Sequence, residues 1–547
     1  MKKTICCITL ILAAAAGIVL GWLTMKAPST YKSDRYSVEN ARNDVEFISL
    51  EPHTVRDRVA LERVRNYLTD RLSGMGLSPE IISYGTVLDP LVDEPVEVIN
   101  ILAVLPGDFN SYALLVAHYD SSPKKRSGEE EGSCGAADDG YGLSTILEVT
   151  RLIMEDAKEK PLVNGIKILF TDCEETSLYG ALFSANDPRV TDKVSCVFNL
   201  ETRGIRGPVV LFENTENNKK VIELFRHAEY PFTYSLATDV YRIMPNSTDF
   251  THFVEAGFSG YNFGCLETLE YYHTPKDNFS NISLNTMSHY GNIIYPILRE
   301  FTSSPAYSDI NWAKSDRDTI IFTILPGVLV VYSPLIGYIL LGVLAILSAA
   351  VLFLLASRKL LSKSLKWVVI WLGLILAAAV FGLAVSFVVS LLTGVKFSPT
   401  YMPRVPFADG IVLLSGLFVA AALGWLTFRS VRKSPGKAPA LLAGGVLLQL
   451  LLTALLTFFL PGGSFLFLFT GILFALTALL RLVMKSKVFA QAAAVFSVFY
   501  TALLFAPLLM MLNIALTIGA LAVILLIETS ALSAALPAAI WQAYKEP

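Results

Sequence analysis

The chain has 547 residues, of which 53% are hydrophobic and only 17% charged, too apolar for a soluble protein of this length. With 44 Lys and Arg against 47 Asp and Glu the formal net charge is −3, and without a basic block nothing in the charge pattern points to nucleic acid. Charge is also segregated: residues 25–318 carry most of it, and residues 334–547 are a series of long apolar runs.

The first apolar run, residues 5–22, follows Lys2-Lys3. It is long for a signal-peptide core and no small-x-small cleavage site follows it, so an uncleaved membrane anchor is expected. Cys6 and Cys7 sit at the start of this run, where a lipoprotein cysteine would follow it, which argues against lipidation.

Residues 25–310 alternate between two kinds of apolar pattern. Runs at 96–105, 112–117, 166–171, 195–200, 209–213 and 260–264 read as strands, and 55–72, 143–155, 219–229 and 284–301 as helices. That order predicts an α/β fold, a mostly parallel mixed sheet with helices on both faces. Residues 311–333 form a junction, in which β-branched runs flank Leu325-Pro-Gly327 and predict a hairpin, placed at the membrane interface or added to the domain's own sheet.

Seven further apolar runs follow, at 334–356, 367–393, 411–428, 441–460, 465–482, 489–510 and 514–532. Each can cross a hydrocarbon layer about 30 Å thick. With the anchor at residues 1–24 they make eight spans, so 334–547 is expected to be an all-α polytopic transmembrane bundle; a split near Ser530 would make nine and move the C-terminus across the membrane. Arg358, Lys359, Lys363 and Lys366 share one connection, Arg429, Arg432, Lys433 and Lys437 another, and Arg481, Lys485 and Lys487 a third, while the alternate connections hold Lys396 and Arg404, then none. By the positive-inside rule the basic loops are cytoplasmic and residues 25–310 lie on the other side, outside a bacterial cell or in a eukaryotic lumen. Glu528 is the one acidic residue well inside a span and reads as interfacial in preference to functional.

Within the α/β region five possible metal ligands occur in order, His118, Asp138, Glu175, Glu201 and His273, each at or just beyond the end of a predicted strand. Zinc takes imidazole nitrogen and carboxylate oxygen, and two zincs about 3.5–4 Å apart need a bridging group that a carboxylate can supply. Asp138, in the loop Gly135-Ala-Ala-Asp-Asp-Gly-Tyr-Gly142, suits the bridge because its glycines allow close backbone approach. One zinc would take His118, Asp138 and Glu201, the other Asp138, Glu175 and His273, and three carboxylates plus a hydroxide balance two dications. Glu174, on the other face of the chain if that stretch is extended, is placed to be the general base. Asp120 would accept the second N–H of His118, and Tyr272 would donate to a developing oxyanion. Singly, each residue has a blander reading as a surface histidine or solvated acid. The ordered set favours one site, while His53, His227 and His252 read as structural and Glu129-Glu-Glu131 as a solvated loop.

His118-Tyr-Asp120, Ala137-Asp-Asp-Gly140, Cys173-Glu-Glu-Thr176, Asn199-Leu-Glu201 and Tyr272-His-Thr274 together resemble the co-catalytic zinc aminopeptidases of clan MH. Glu51-Pro-His-Thr54 with the segment Ala60-Leu-Glu-Arg-Val-Arg-Asn-Tyr67 resembles that family's opening helix, and Ser247-Thr-Asp-Phe250 its Ser-Asp-Phe turn; the likeness covers about residues 40–302. Glu201 departs from the Asp of secreted members and matches a membrane-bound branch that includes endoplasmic-reticulum metallopeptidases and vacuolar membrane proteases. The resemblance implies a zinc aminopeptidase-like fold, a peptide substrate and a cis peptide at Asp138–Asp139. A carboxypeptidase or glutaminyl cyclase on the same scaffold, or a non-enzymatic membrane scaffold or transporter, are the competing functions, and no motif points to an oligomeric state. Of Cys134, Cys173, Cys196 and Cys265, the pair Cys173–Cys196 is not expected to bond, since level parallel strands would put them about 13 Å apart against a Cα reach of about 7 Å. The glycosylation triplets at Asn246, Asn278 and Asn281 carry little weight.

Overall fold

A computed structural model describes residues 2–28, 35–123, 132–244, 246–405, 407–484 and 487–543; Glu129-Glu-Glu131 and Lys485 lie outside the described residues. The chain divides into two compact units, Lys26–Val331 and Met1–Met25 with Tyr332–Pro547.

In the first unit, β1 (Glu80–Asp89), β2 (Glu94–Leu105), β3 (Tyr112–His118), β4 (Gly165–Thr171), β5 (Val194–Leu200), β6 (Val210–Asn214) and β7 (Gly260–Gly264) form one sheet in the order β1-β2-β4-β3-β5-β7-β6. The middle strands β4-β3-β5-β7 are parallel, whereas β1 and β2 on one flank and β6 on the other pair antiparallel. The sheet is thus mixed as expected, with the parallel pairings confined to its centre.

Alternation along the central strands divides the core. Ala113, Leu115 and Ala117 of β3 face a cluster built with the helices Val38–Ile48, Arg58–Gly74, Gly140–Glu159 and Leu284–Ser303. Leu114 and Val116 face the opposite cluster, closed by Ala181, Val190, Phe250 and Phe253. Because both faces are covered, β3, β4 and β5 are buried along nearly their whole length and read as unbroken apolar runs.

Where boundaries differ from the sequence reading, caps explain it. Asp57 accepts the N–H of Ala60 at 3.1 Å and starts its helix at Arg58, not at residue 55. Asp139 accepts the N–H of Gly142 at 3.0 Å and starts the next at Gly140, before residue 143. Strand β1 shows no strand pattern in the sequence because it is an edge strand with an irregularity between Ser83 and Thr86, and of its apolar side chains only Ile82 is buried.

Ile320–Leu325 (β8) and Val328–Tyr332 (β9) form a two-stranded sheet about Pro326-Gly327, with Gly327 at φ +73°. It joins the domain through Thr233-Tyr234: Tyr234 bridges to Phe322, and Thr323 donates its N–H to Thr233 at 2.9 Å.

The second unit is helical. Seven apolar segments have membrane-spanning length, and the last, Val488–Gln542, has 55 residues, far more than the roughly 20 a crossing needs. It contains two helices, Lys487–Leu516 and Leu521–Ala543, separated where Thr517 takes φ +56° and a 3₁₀ turn runs to Ala520. Among its described residues the unit therefore holds eight helices of spanning length. The helix continues through Ser530, whose hydroxyl donates to the Leu526 carbonyl at 2.8 Å.

Helix Lys2–Thr24 packs along Lys487–Leu516, with Gly17 and Gly21 one turn apart at the contact. A Cβ on Gly17 would come within 2.4 Å of the Phe499 carbonyl oxygen, and one on Gly21 within 2.8 Å of Pro507 Cδ, the small-xxx-small approach of membrane helices. Gln449 satisfies its buried amide between helices, donating to the Ser530 carbonyl and accepting from the Thr470 hydroxyl, each at 2.9 Å. Glu528 is half-buried beside Gly416 of helix Ala408–Lys433.

Candidate metal centre

The parallel centre of the sheet collects the site at one edge. His118 is the last residue of β3, Glu201 directly follows β5, Glu175 follows β4, and His273 arrives in the loop beyond β7. Asp138 comes from the turn before helix Gly140–Glu159. Carboxyl ends of parallel strands are where open α/β sheets place their sites.

The ligand atoms fall into two groups sharing one residue. His118, Asp138 and Glu201 form the first, Asp138, Glu175 and His273 the second, and the atoms of each lie within 4.8 Å of one another. His118 Nε2 is 3.4 Å from Asp138 Oδ1 and 3.7 Å from Glu201 Oε1. His273 Nε2 is 3.4 Å from Asp138 Oδ2 and 2.8 Å from Glu175 Oε2. Asp138 thus turns one carboxylate oxygen to each group, and its peptide bond to Asp139 is cis.

The tautomer of His118 follows from its neighbours. Its Nδ1 is 2.9 Å from the backbone oxygen of Asp120, which can only accept, so Nδ1 carries the proton. In the neutral ring, the form that takes a metal, Nε2 then presents its lone pair towards Asp138 and Glu201. Asp120, expected to accept the second N–H of His118, is placed to do so through this backbone oxygen, while its carboxylate Oδ1 lies 3.7 Å from Nδ1. That carboxylate instead accepts the N–H groups of Glu174 and Glu175 at 3.0 and 3.2 Å.

Those two bonds settle the condition on which the other-face placement of Glu174 depended. The Glu-Glu stretch is not extended: Cys173 at φ +62° turns the chain after β4, and Glu174–Ser177 is a helical turn. Asp120 supplies the acceptor for the orphan N–H groups of its first turn. Glu174 belongs to neither ligand group, and Tyr272 stacks on His273 with ring centroids 3.6 Å apart.

The electrostatics are those of crowded, desolvated acids. Burial and then Glu201 push Glu174 well above the ordinary carboxylate range, and burial raises Glu175 and Glu201 to about 7. Asp138 is held low against its own burial by His118 and His273. His273 is raised to about 9 despite burial by Glu175 and Asp138.

Three residues around the site were not singled out in the sequence. Asp277 accepts from the Ala137 and Asp138 N–H groups at 2.7 and 3.2 Å and from the Ser133 hydroxyl at 3.0 Å. The Tyr290 hydroxyl donates to the Glu201 carbonyl at 2.5 Å. Asp249, inside the Ser247-Thr-Asp-Phe250 turn, accepts from the Thr171 hydroxyl beside the end of β4. Asp249 lies in a motif already noted, the Ser247-Thr-Asp-Phe250 turn, whereas no local pattern marks Asp277 or Tyr290.

The remaining histidines belong to neither ligand group. The backbone N–H of His53 donates to the Ser121 hydroxyl at 3.0 Å, and its ring reaches the Glu51 carbonyl at 3.1 Å. His227 lies 3.9 Å from Glu300, and His252 is 3.1 Å from Glu255. His289, buried, accepts from the Val209 N–H and donates to the Tyr230 carbonyl. Among the described residues no disulfide forms. Across β3, Cys196 is level with Ile166, farther from Cys173 than level strand ends implied.

Residues 100–298 match peptidase family M28. Endoplasmic reticulum metallopeptidase 1 of Schizosaccharomyces pombe is 34% identical over 232 residues, 42% of this chain and 26% of the relative. A vacuolar membrane protease of Candida dubliniensis is 27% identical over 278 residues, 49% of this chain and 28% of the relative. The matched part of the chain thus spans little more than a quarter of these relatives' length. Among solved structures, a Zn-dependent exopeptidase from Parabacteroides distasonis is 20% identical, with TM-score 0.39 over 48% of this chain and 98% of that one. The sheet-bearing unit of this chain carries a peptidase family M28 domain.

Proposed function

We propose that the protein is a membrane-bound di-zinc aminopeptidase, removing residues from peptide N-termini on the non-cytoplasmic side. The observation that carries this reading is the pair of ligand triads sharing Asp138. His118 Nε2, His273 Nε2, both carboxylate oxygens of Asp138 and Glu175 Oε1 are buried without a hydrogen-bond partner. Such orphans are costly unless something binds them. Two ligands about 2.0–2.1 Å from one tetrahedral zinc lie about 3.3 Å apart, close to the 3.4 and 3.7 Å separations around His118.

His118, Asp138 and Glu201 would hold one zinc and Asp138, Glu175 and His273 the other; when bound, the metals polarise the scissile carbonyl and make water acidic enough to ionise near neutral pH. Glu174 takes the proton of the attacking water and returns it to the leaving amine. The Asp120 carboxylate fixes the turn that aims Glu174 and Glu175, while its backbone oxygen fixes the His118 tautomer. Tyr272, aligned by stacking on His273, donates its hydroxyl to the developing oxyanion.

Elemental analysis of the purified full chain tests the metal count. Two zincs per chain are expected, and Glu201→Ala should empty or weaken the site containing His118 while the other stays filled. One zinc per chain in a fully active protein would contradict the two-metal reading.

The membrane orientation rests on the three basic connections at 358–366, 429–437 and 481–487. A reporter fused after Lys437 should be cytoplasmic, and a tag near Ser303 should be accessible from the opposite side. Both on one side would overturn the orientation.

A further inference from the structure

Resting on the two-zinc reading, we infer that Asp277 is the positioning residue that sets both metal positions at once, by tying the loop of Asp138 to the arm of His273. Asp138 is the one ligand common to both groups, so whatever fixes its backbone acts on both. His118, Glu175 and Glu201 have other supports, in the Asp120 backbone oxygen, the Asp120 carboxylate and the Tyr290 hydroxyl.

The tie is fully assigned. Asp277 is buried, and its carboxylate gathers three donors: the Ala137 N–H on Oδ1, and the Asp138 N–H and Ser133 hydroxyl on Oδ2. Ser133 in turn accepts the Gly135 N–H at 2.9 Å, so the same contacts brace both ends of the Gly135-Ala-Ala-Asp138 turn. On its own side Asp277 donates its N–H to the Thr274 carbonyl at 3.0 Å, and the Thr274 hydroxyl donates to Tyr271 at 2.7 Å, closing the turn that begins directly after His273. A carboxylate suits three converging donors because it only accepts; a carboxamide must turn its N–H₂ towards one of them.

Losing this tie should differ from losing a ligand. Glu201→Ala removes one arm of one site, whereas Asp277→Asn leaves all five ligands in place and loosens the residue they share. Outer-shell partners of metal ligands typically account for about 10–100-fold in metal affinity.

The test is zinc titration of the full-length protein in detergent, by competition with a chromogenic chelator, for wild type, Asp277→Asn, Ser133→Ala and Glu201→Ala, with circular dichroism to confirm folding. Asp277→Asn should weaken both zinc sites together by about 10–100-fold, and Ser133→Ala, which removes one donor, should weaken both by less. Glu201→Ala should weaken one. An Asp277→Asn protein that titrates like wild type overturns the inference, as does one in which a single site weakens. If Asp277→Asn does not fold, Ser133→Ala decides: unchanged affinity at both sites rejects the tie. A wild type that binds no zinc would reject the metal reading itself, a result distinct from any variant matching a zinc-binding wild type.

Discussion

Glu174→Gln is expected to bind as much zinc as the unaltered protein and to hydrolyse peptide about 10²–10⁴-fold more slowly. The carboxamide keeps the size of the side chain but cannot accept the water's proton. Since Glu174 lies outside both ligand groups, the metals lose nothing. Its backbone N–H, which docks on Asp120, is also untouched. The loss corresponds to about 2.7–5.5 kcal/mol of transition-state stabilisation, and it should fall mainly on kcat because the group acts on the reacting atoms. The neighbouring change gives the contrast. Glu175 lies 2.8 Å from His273 inside the second group, so Glu175→Gln should lose metal along with activity. Bound zinc and hydrolysis rate measured side by side separate the two. A Glu174→Gln protein with near-normal turnover and full zinc would remove the proposed base.

The centre of the fold was legible because both its faces are buried. β3, β4 and β5 are nearly continuous apolar runs, and their ends carry three of the ligands. His118, Asp138, Glu175, Glu201 and His273 were therefore readable as an ordered set, and the structure brings all five together. Elements that bury little were not readable: β1 is an exposed edge, and the helix Ser235–Ile243 has only three buried residues. The conformation of the turn carrying Glu174 stays open in the sequence because it is set from a distance, by Asp120 through its carboxylate, and by the left-handed Cys173.

Supporting contacts were hidden for the same reason. Asp277 and Tyr290 act on backbone groups 139 and 89 residues away in sequence, and no local pattern records such a contact. The division of labour in Asp120, backbone oxygen to His118 and carboxylate to the Glu174 turn, likewise depends on geometry that a His-x-Asp string cannot specify. In the membrane half, composition located the helices and put the last break at residues 511–513; it falls a few residues later, where Thr517 leaves the helical region within a run apolar throughout.

The central claim is tested most directly by incubating the purified full-length protein with a library of peptides, with zinc and after chelation, and identifying by mass which end is shortened. Five atoms on four of the ligand side chains are buried without a hydrogen-bond partner, so removal of zinc should abolish turnover outright. The account predicts stepwise loss of residues from the amino terminus, present with zinc, absent after chelation and restored when zinc is returned. Shortening from the carboxyl terminus, a cyclised amino terminus without shortening, or no product from a protein holding two zincs would contradict it.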